Sequence, residues 1–421
     1  MTKSRTVLAA RDMTAAPSRR QVVAGLAAAG AGGLVLQPEA ASAAAKPPSA
    51  VKQWLIEPGG AGFKVPLDYL GLHSDHGVSG KAPAPTYPYD AIRSHDVDNG
   101  RDLPATQWAD IEKAPGVYDW RLTDRWIETH SDKTRIWVLF GTPRFYQKHP
   151  GERFVFPHLP GGGSPPRDPQ VAANFIKALL QRYPGKIQFV EIWNEPNFGP
   201  GTDPERDRWT PGLPEAGWFT GSASDLAELA RVVKGVLPAD VKLMAAGWAW
   251  QAKDDQMTPS NSVLRFAQAP DRAGGFGRDH VDALSVHLYT YNFDPNPTIA
   301  ELRTYEGLFD RCGYSRALPR YVTETGAWYP GMFTADRPSQ ADKARILKRW
   351  CMIPAMLGYR GVYLYKHSEL GTMGDPARAP AVAGAIGEMR EGLRGRTVAA
   401  AALLDDDTLW MAFFDGSELR A

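Results

Sequence analysis

Eight short apolar runs between residues 67 and 365, separated by longer stretches with helical spacing of apolar positions, predict an α/β chain wound as a (β/α)8 TIM barrel. A switch to period-two alternation near residue 397 adds the start of a small C-terminal β appendage. A third observation weakens the main alternative, a doubly wound open sheet that cradles phosphate. No G-x-G-x-x-G follows the first run, and no G-x-x-x-x-G-K-[ST] occurs.

The chain begins with an address. Ser18, Arg19 and Arg20 precede an apolar stretch from Val22 to Leu36, and the small residues Ala41, Ser42 and Ala43 follow. This is the pattern of a twin-arginine export signal, and the stretch is too short to span a hydrocarbon core of about 30 Å. Residues 1–45 are therefore expected to be removed, leaving a secreted or periplasmic protein with no membrane partner. Lys46 to Ala50 reads as a linker, residues 51–396 as the barrel and 397–421 as the partial β appendage.

The strand runs are Leu67 to Leu72, Ala91 to Ser94, Arg135 to Phe140, Ile187 to Trp193, Lys242 to Ala246, Ala283 to Leu288, Arg320 to Thr323 and Gly361 to Tyr365. Helical patterns cover Val171 to Arg182, Ala223 to Val236, Thr298 to Phe309, Gln340 to Ile353 and Ala381 to Leu393. Ser222, with Asp225 three residues on, makes a capping-type start for the second of these.

Composition excludes several classes. The 421 residues are 43% hydrophobic and 10% aromatic, which argues against disorder, and 48 basic against 47 acidic residues give no general reason to bind nucleic acid. Two cysteines cannot form a disulfide scaffold or a Cys-rich zinc module.

The sharpest signal is Phe-Val-Glu-Ile-Trp-Asn-Glu-Pro-Asn, residues 189–197, at the end of the fourth run. Alternation puts Glu191, Trp193 and Glu195 on one face, and Ile192 and Asn194 on the other. A second carboxylate, Glu324, ends the seventh run in Val322-Thr323-Glu324-Thr325-Gly326. Catalytic side chains of a barrel sit at the C-terminal ends of its strands, so the two carboxylates can face one another across the cavity. Cleaving a glycosidic bond needs such a pair: one group protonates the leaving oxygen while the other attacks the anomeric carbon.

Trp193-Asn194-Glu195-Pro196 together with Thr323-Glu324-Thr325-Gly326 resembles the retaining glycoside hydrolases of clan A, most of all glycoside hydrolase family 39. Residues 108–112 (Trp-Ala-Asp-Ile-Glu), 116–120 (Gly-Val-Tyr-Asp-Trp) and 141–143 (Gly-Thr-Pro) are similar to further family segments, and His287 and Tyr289 sit at the end of the sixth run as in the clan. The resemblance implies Glu195 as general acid/base, Glu324 as nucleophile, and Asn194 as the holder of the neighbouring sugar hydroxyl. Arg93 and Tyr289 are then expected to hydrogen-bond Glu324 and keep it ionised. One departure stands out: relatives usually carry Trp near the end of the eighth strand, and here the run is Tyr363-Leu364-Tyr365-Lys366-His367. Lys366, His367, Arg144 and Arg93 together suggest an acidic sugar, against the plainer reading that Arg93 pairs with carboxylates and the others are solvated.

Other residues carry two readings. Trp248, Trp250 and Trp328 suit either sugar stacking or loop packing. Glu191 points into the core, where a charge needs a partner. The segment 197–221, with Phe198, Trp209, Trp218 and Phe219, is long enough to shape a cleft. His73 suits a sugar hydroxyl. Yet His73, Asp75, His76, His95, Asp96 and Asp98 also suit the rival class, a metal-dependent barrel hydrolase, and a third possibility is a non-catalytic glycan-binding barrel. The glycosidase reading requires no metal or organic cofactor, and its partner is an oligo- or polysaccharide. Cys312, in the loop entering the seventh strand, and Cys351, near the end of the seventh helix, are expected on the barrel's N-terminal face within bridging reach, Cα atoms inside about 7 Å.

Overall fold

Parallel pairing closes eight strands into a barrel in the computed structural model, which describes residues 48–74, 76, 78, 84–95, 97, 106–150, 161–197, 218–249, 262–290, 294–326, 339–365 and 380–421. The export signal, Asp75, Asp96, Asp98, Phe198, Trp209, Trp250, Trp328, Lys366 and His367 lie outside the described residues. Two strands precede the barrel, β1 (Val51–Ile56) and β2 (Phe63–Lys64). The barrel opens with β3 (Leu70–His73) and β4 (Ala91–Arg93), and a small hairpin of β5 (Glu112–Ala114) and β6 (Val117–Tyr118) follows. The remaining barrel strands are β7 (Thr134–Leu139), β8 (Phe189–Ile192), β9 (Lys242–Trp248), β10 (Ala283–Leu288), β11 (Arg320–Thr325) and β12 (Gly361–Leu364). β12 pairs back onto β3, Val362 opposite Leu70, and leaves no open edge.

Every one of the eight sequence runs becomes a barrel strand, because a parallel strand buried on both faces reads as a continuous apolar stretch. The helices that cover it are α1 (Trp108–Ile111), α2 (Arg121–Thr129), α3 (Gln170–Arg182), α4 (Ala223–Lys234), α5 (Ser262–Gln268), α6 (Asn296–Arg311), α7 (Gln340–Met356) and α8 (Pro380–Leu393). Among the described residues no helix separates β3 from β4. α4 starts with a reciprocal capping box: the Asp225 amide donates to Ser222 Oγ at 3.1 Å while the Ser222 amide donates to Asp225 Oδ2 at 3.0 Å.

The lower interior of the barrel is apolar. Ala91, Ile136, Met244, Ala283 and Tyr363 are buried there, with Phe189 and Tyr321 packed against them. Gly71 has to be glycine at this level, since a Cβ would lie 2.2 Å from the Tyr363 ring. This aromatic floor seals the barrel beneath the layer of polar side chains that forms the site.

Residues 397–421 carry β13 (Thr397–Leu404), β14 (Leu409–Phe413) and β15 (Glu418–Arg420), but the sheet also recruits the start of the folded chain. β1 and β2 both pair antiparallel with β13, giving five strands. Local periodicity cannot reveal a pairing between residues so far apart, which is why β1 escaped the sequence reading.

The cysteine expectation fails. Cys312 and Cys351 are free, buried thiols, and burial pushes each up to about 12. α7 runs to Met356, so Cys351 lies inside the helix rather than near its end, and its carbonyl accepts from Tyr69 Oη at 2.8 Å. Cys312 caps α6 instead, where its amide donates to the Leu308 carbonyl.

Candidate active site

The strand that carries the sharpest motif ends earlier than alternation requires. β8 stops at Ile192, and Trp193 and Glu195 both take left-handed backbone, at φ 66° and 45°. For a residue with a Cβ that conformation costs about 1–2 kcal/mol. Burial of Trp193 offsets it: the fully buried indole stands edge-on to Phe140 and Phe219, and its Nε1–H donates to the Trp218 carbonyl at 2.7 Å. Trp218 and Phe219, at the described end of the 197–221 segment, are thus tied to the strand terminus. The turn also corrects the expected faces. Asn194 comes inward to accept from Arg93 Nη2 at 2.8 Å, while Trp193 packs among aromatic rings.

Glu195 and Glu324 meet at one imidazole. His287 Nδ1 lies 2.7 Å from Glu195 Oε1 and 2.7 Å from Glu324 Oε2. Register explains half of this, since His287 and Glu324 are direct partners across the β10–β11 pair. The Glu195 amide is pinned from the other side, donating to the Gly247 carbonyl at 3.1 Å. Both side chains are largely buried, yet Glu195 keeps 16% of its surface open against 7% for Glu324, so Glu195 is the more accessible group.

Arg93 organises the layer beneath. Its Nε donates to Glu191 Oε2 at 2.6 Å and its Nη1 to Glu324 Oε2 at 3.4 Å, all three side chains being shielded from solvent. Glu191 also accepts from Thr323 Oγ1 at 3.0 Å, so its buried charge is paired and hydrogen-bonded, as such a charge must be. The Arg93 guanidinium is therefore held among carboxylates and offers little to an acidic sugar; Arg144 is exposed.

This arrangement pulls the two candidate carboxyls apart electrostatically. Burial holds Glu195 above the ordinary carboxylate value, and the Glu324 charge adds to this against the pull of His287 and Arg93. Burial acts on Glu324 in the same sense but loses to the His287 charge and hydrogen bond and to Arg93, which hold that carboxyl well below the usual range. His287 is itself desolvated, yet its two carboxylate neighbours raise it to about 9.

Two residues read as suited to sugar contact, Trp248 and His73, are fully buried among protein groups. Trp248 was read as lying past its strand, but β9 extends through it, and the indole is fully buried against Phe266. His73 is also fully buried: Nε2 bonds the Thr323 carbonyl at 2.9 Å and its ring stands edge-on to Tyr365, so it braces the wall between β3 and β11. Tyr289 is half-buried two residues beyond His287. Of the rival His/Asp cluster, His95 is buried against Phe140 and Trp218. Sequence reasoning missed Gly247, whose positive φ (59°) and missing side chain admit Arg93 and His287, and Ser285, whose Oγ accepts the Gly247 amide at 2.8 Å. Neither stands in a recognisable motif.

A parallel barrel with two electrostatically differentiated glutamates at the ends of separate strands, facing one another across the cavity, is the architecture of barrel glycosidases. Comparison with solved structures agrees at the level of the fold. The chain is similar to a family 39 glycoside hydrolase from Bacteroides cellulosilyticus WH2, with a TM-score of 0.55 at 17% identity over 84% of this chain and 69% of that one. A glucosidase from Croceicoccus marinus matches with a TM-score of 0.50 at 14% identity, covering 85% and 76%. No protein-family model matches the sequence, and no curated protein is significantly similar.

Proposed function

We propose that this protein is an exported retaining glycoside hydrolase acting on oligo- or polysaccharides. The observation that carries the reading is the shared hydrogen bond of His287 to Glu195 and Glu324. It holds one oxygen of each carboxylate within 4.8 Å of the other. That spacing favours retention, for which carboxyl groups stand about 5–5.5 Å apart, over inversion, which needs roughly 6.5–9.5 Å to admit a water.

The roles follow from the electrostatics. Glu324, kept ionised, attacks the anomeric carbon; the bond to the leaving oxygen breaks, and Glu195 gives that oxygen its proton. Once Glu324 is esterified its charge is gone, which lowers the affinity of Glu195 for a proton. Glu195 then takes a proton from water as the water oxygen attacks the anomeric carbon, and Glu324 leaves as carboxylate. Asn194, its Oδ1 occupied by Arg93, has its amide nitrogen left to donate to a sugar hydroxyl. The arginine pair ahead of an apolar stretch supports export.

A panel of 2-deoxy-2-fluoro aryl glycosides tests this by intact-mass measurement. One covalent sugar per chain, mapped to Glu324 and missing from Glu324→Ala, is expected. Hydrolysis of aryl glycosides that persists in Glu324→Ala, with no adduct on the unmodified chain, would sink the reading.

A further inference from the structure

The pair of carboxylates and the imidazole have a second capacity. Among the described residues, Glu195, His287 and Glu324 are the group whose ligand-type atoms converge, all within 4.8 Å of one another. They come from the ends of three different barrel strands, β8, β10 and β11, so their backbones cannot drift apart independently. The two His287 contacts, 2.7 Å each, are hydrogen-bond distances. Ligand atoms around a tetrahedral zinc, at about 2.0–2.2 Å from the ion, stand roughly 3.3 Å from one another. A carboxylate swing of about an ångström separates the two arrangements, and Glu195 is the more open of the two carboxylates.

Charge stays balanced once the exchange has released the protons of Glu195 and His287. Glu191, Glu195 and Glu324 bring three negative charges into a buried cluster in which Arg93 supplies one fixed positive charge. Two negative charges are left over, which a dication cancels in full. One Nδ1–H shared between two carboxylates cannot bond both of them fully, whereas a metal bonds to all three groups at once. Arg93 continues to hold Glu324 from behind, the outer support that ligating carboxylates ordinarily receive.

We propose that Glu195, His287 and Glu324 form a three-ligand site for one transition-metal dication of the zinc class, and that its occupancy shuts the enzyme off by tying up both carboxylates. Zinc displaces the Nδ1 proton of His287 and the carboxyl proton of Glu195 to solvent and keeps a water as fourth ligand. Imidazole with carboxylate suits zinc or cobalt better than calcium or magnesium, which prefer all-oxygen shells. The binding half stands on geometry alone; the shut-off half rests on the glycosidase reading.

Metal-free full chain is titrated with Zn2+ by calorimetry and with Co2+ by visible absorption. One ion per chain and the intense bands of four-coordinate cobalt are expected, with affinity reduced at least tenfold in each of His287→Gln and Glu195→Gln. Both variants are checked for native circular dichroism, so that loss of binding cannot be mistaken for loss of fold. Uptake unchanged in both variants, or none in the unmodified chain, overturns the proposal. Hydrolysis by the metal-free chain is followed in parallel: Zn2+ competing with the aryl glycoside supports the shut-off, and Zn2+ raising the rate overturns it. A metal-free chain that hydrolyses no glycoside but still takes up one ion at these residues would leave the site standing and remove the glycosidase reading.

Discussion

A Cβ on Gly247 would lie 2.7 Å from His287 Nε2, so the glycine on β9 and the histidine on β10 can be neighbours only because one of them has no side chain. The same added atom would come within 3.1 Å of Arg93 Nη2 and 3.3 Å of Glu191 Oε1. None of these side chains has room to retreat, since all three are buried, and His287 is held through Nδ1, Arg93 by Asn194 and Glu191 by Thr323.

Gly247→Ala is therefore expected to fold with a lowered melting temperature and to lose about 10²-fold in kcat/KM, the scale of an ångström-sized displacement of catalytic groups. Circular dichroism and aryl-glycoside hydrolysis check the two parts. Wild-type turnover in this variant would mean that His287 need not sit where it does.

The pH profile of kcat/KM should be bell-shaped and displaced on both sides. Its acid limb, set by Glu324, falls below the ordinary carboxylate range, and its basic limb, set by Glu195, lies above it. Glu195→Gln removes the basic limb and costs about 10²–10⁴-fold in rate.

Stability carries its own pH signature. His287 binds its proton more tightly folded, at about 9, than unfolded, at 6.5, so its contribution is fully present below 6.5 and is lost as pH rises through 9. Glu324, held low, contributes above its unfolded value of 4.5 and loses that contribution as pH falls. Thermal melts between pH 6 and 10 should show a decline in the unmodified protein that is flattened in His287→Gln.

Legibility in the sequence divides along physical lines. Strands buried on both faces declare themselves by composition, and Glu195 and Glu324 by motifs that end such strands. Arg93, Asn194 and His287 were singled out too, and the structure gathers all five. The failures came where something non-local decides. Trp193 takes left-handed backbone where the rings of Phe140, just past β7, and Phe219 pack against it, which no alternation rule contains. Trp248 was misplaced by two residues of extra strand, and Gly247 matters only for what approaches it from neighbouring strands.

Arg93→Met should be among the most damaging single changes, costing about 3–5 kcal/mol because it leaves Glu191 buried without its cation. Adding Glu191→Gln should restore part of the stability but not the activity, since Glu324 still lacks its guanidinium. Urea denaturation with parallel rate measurements separates the two effects; equal recovery of both would show that Arg93 acts only as a structural counterion.

At the surface, Ser222→Ala removes the reciprocal cap of α4 and is expected to cost about 1 kcal/mol without altering kcat/KM. An unchanged urea midpoint would show that the helix start is held by packing instead.

The pairing of β1 with β13 has a consequence for how the molecule is made. A strand that leaves the ribosome early must wait for a partner near the other end of the chain, and the barrel seam between β3 and β12 imposes the same delay. Native closure therefore waits until β12 and β13 have been made, and until then the nascent polypeptide presents sticky, unpaired hydrogen-bonding edges that chaperones would need to shield.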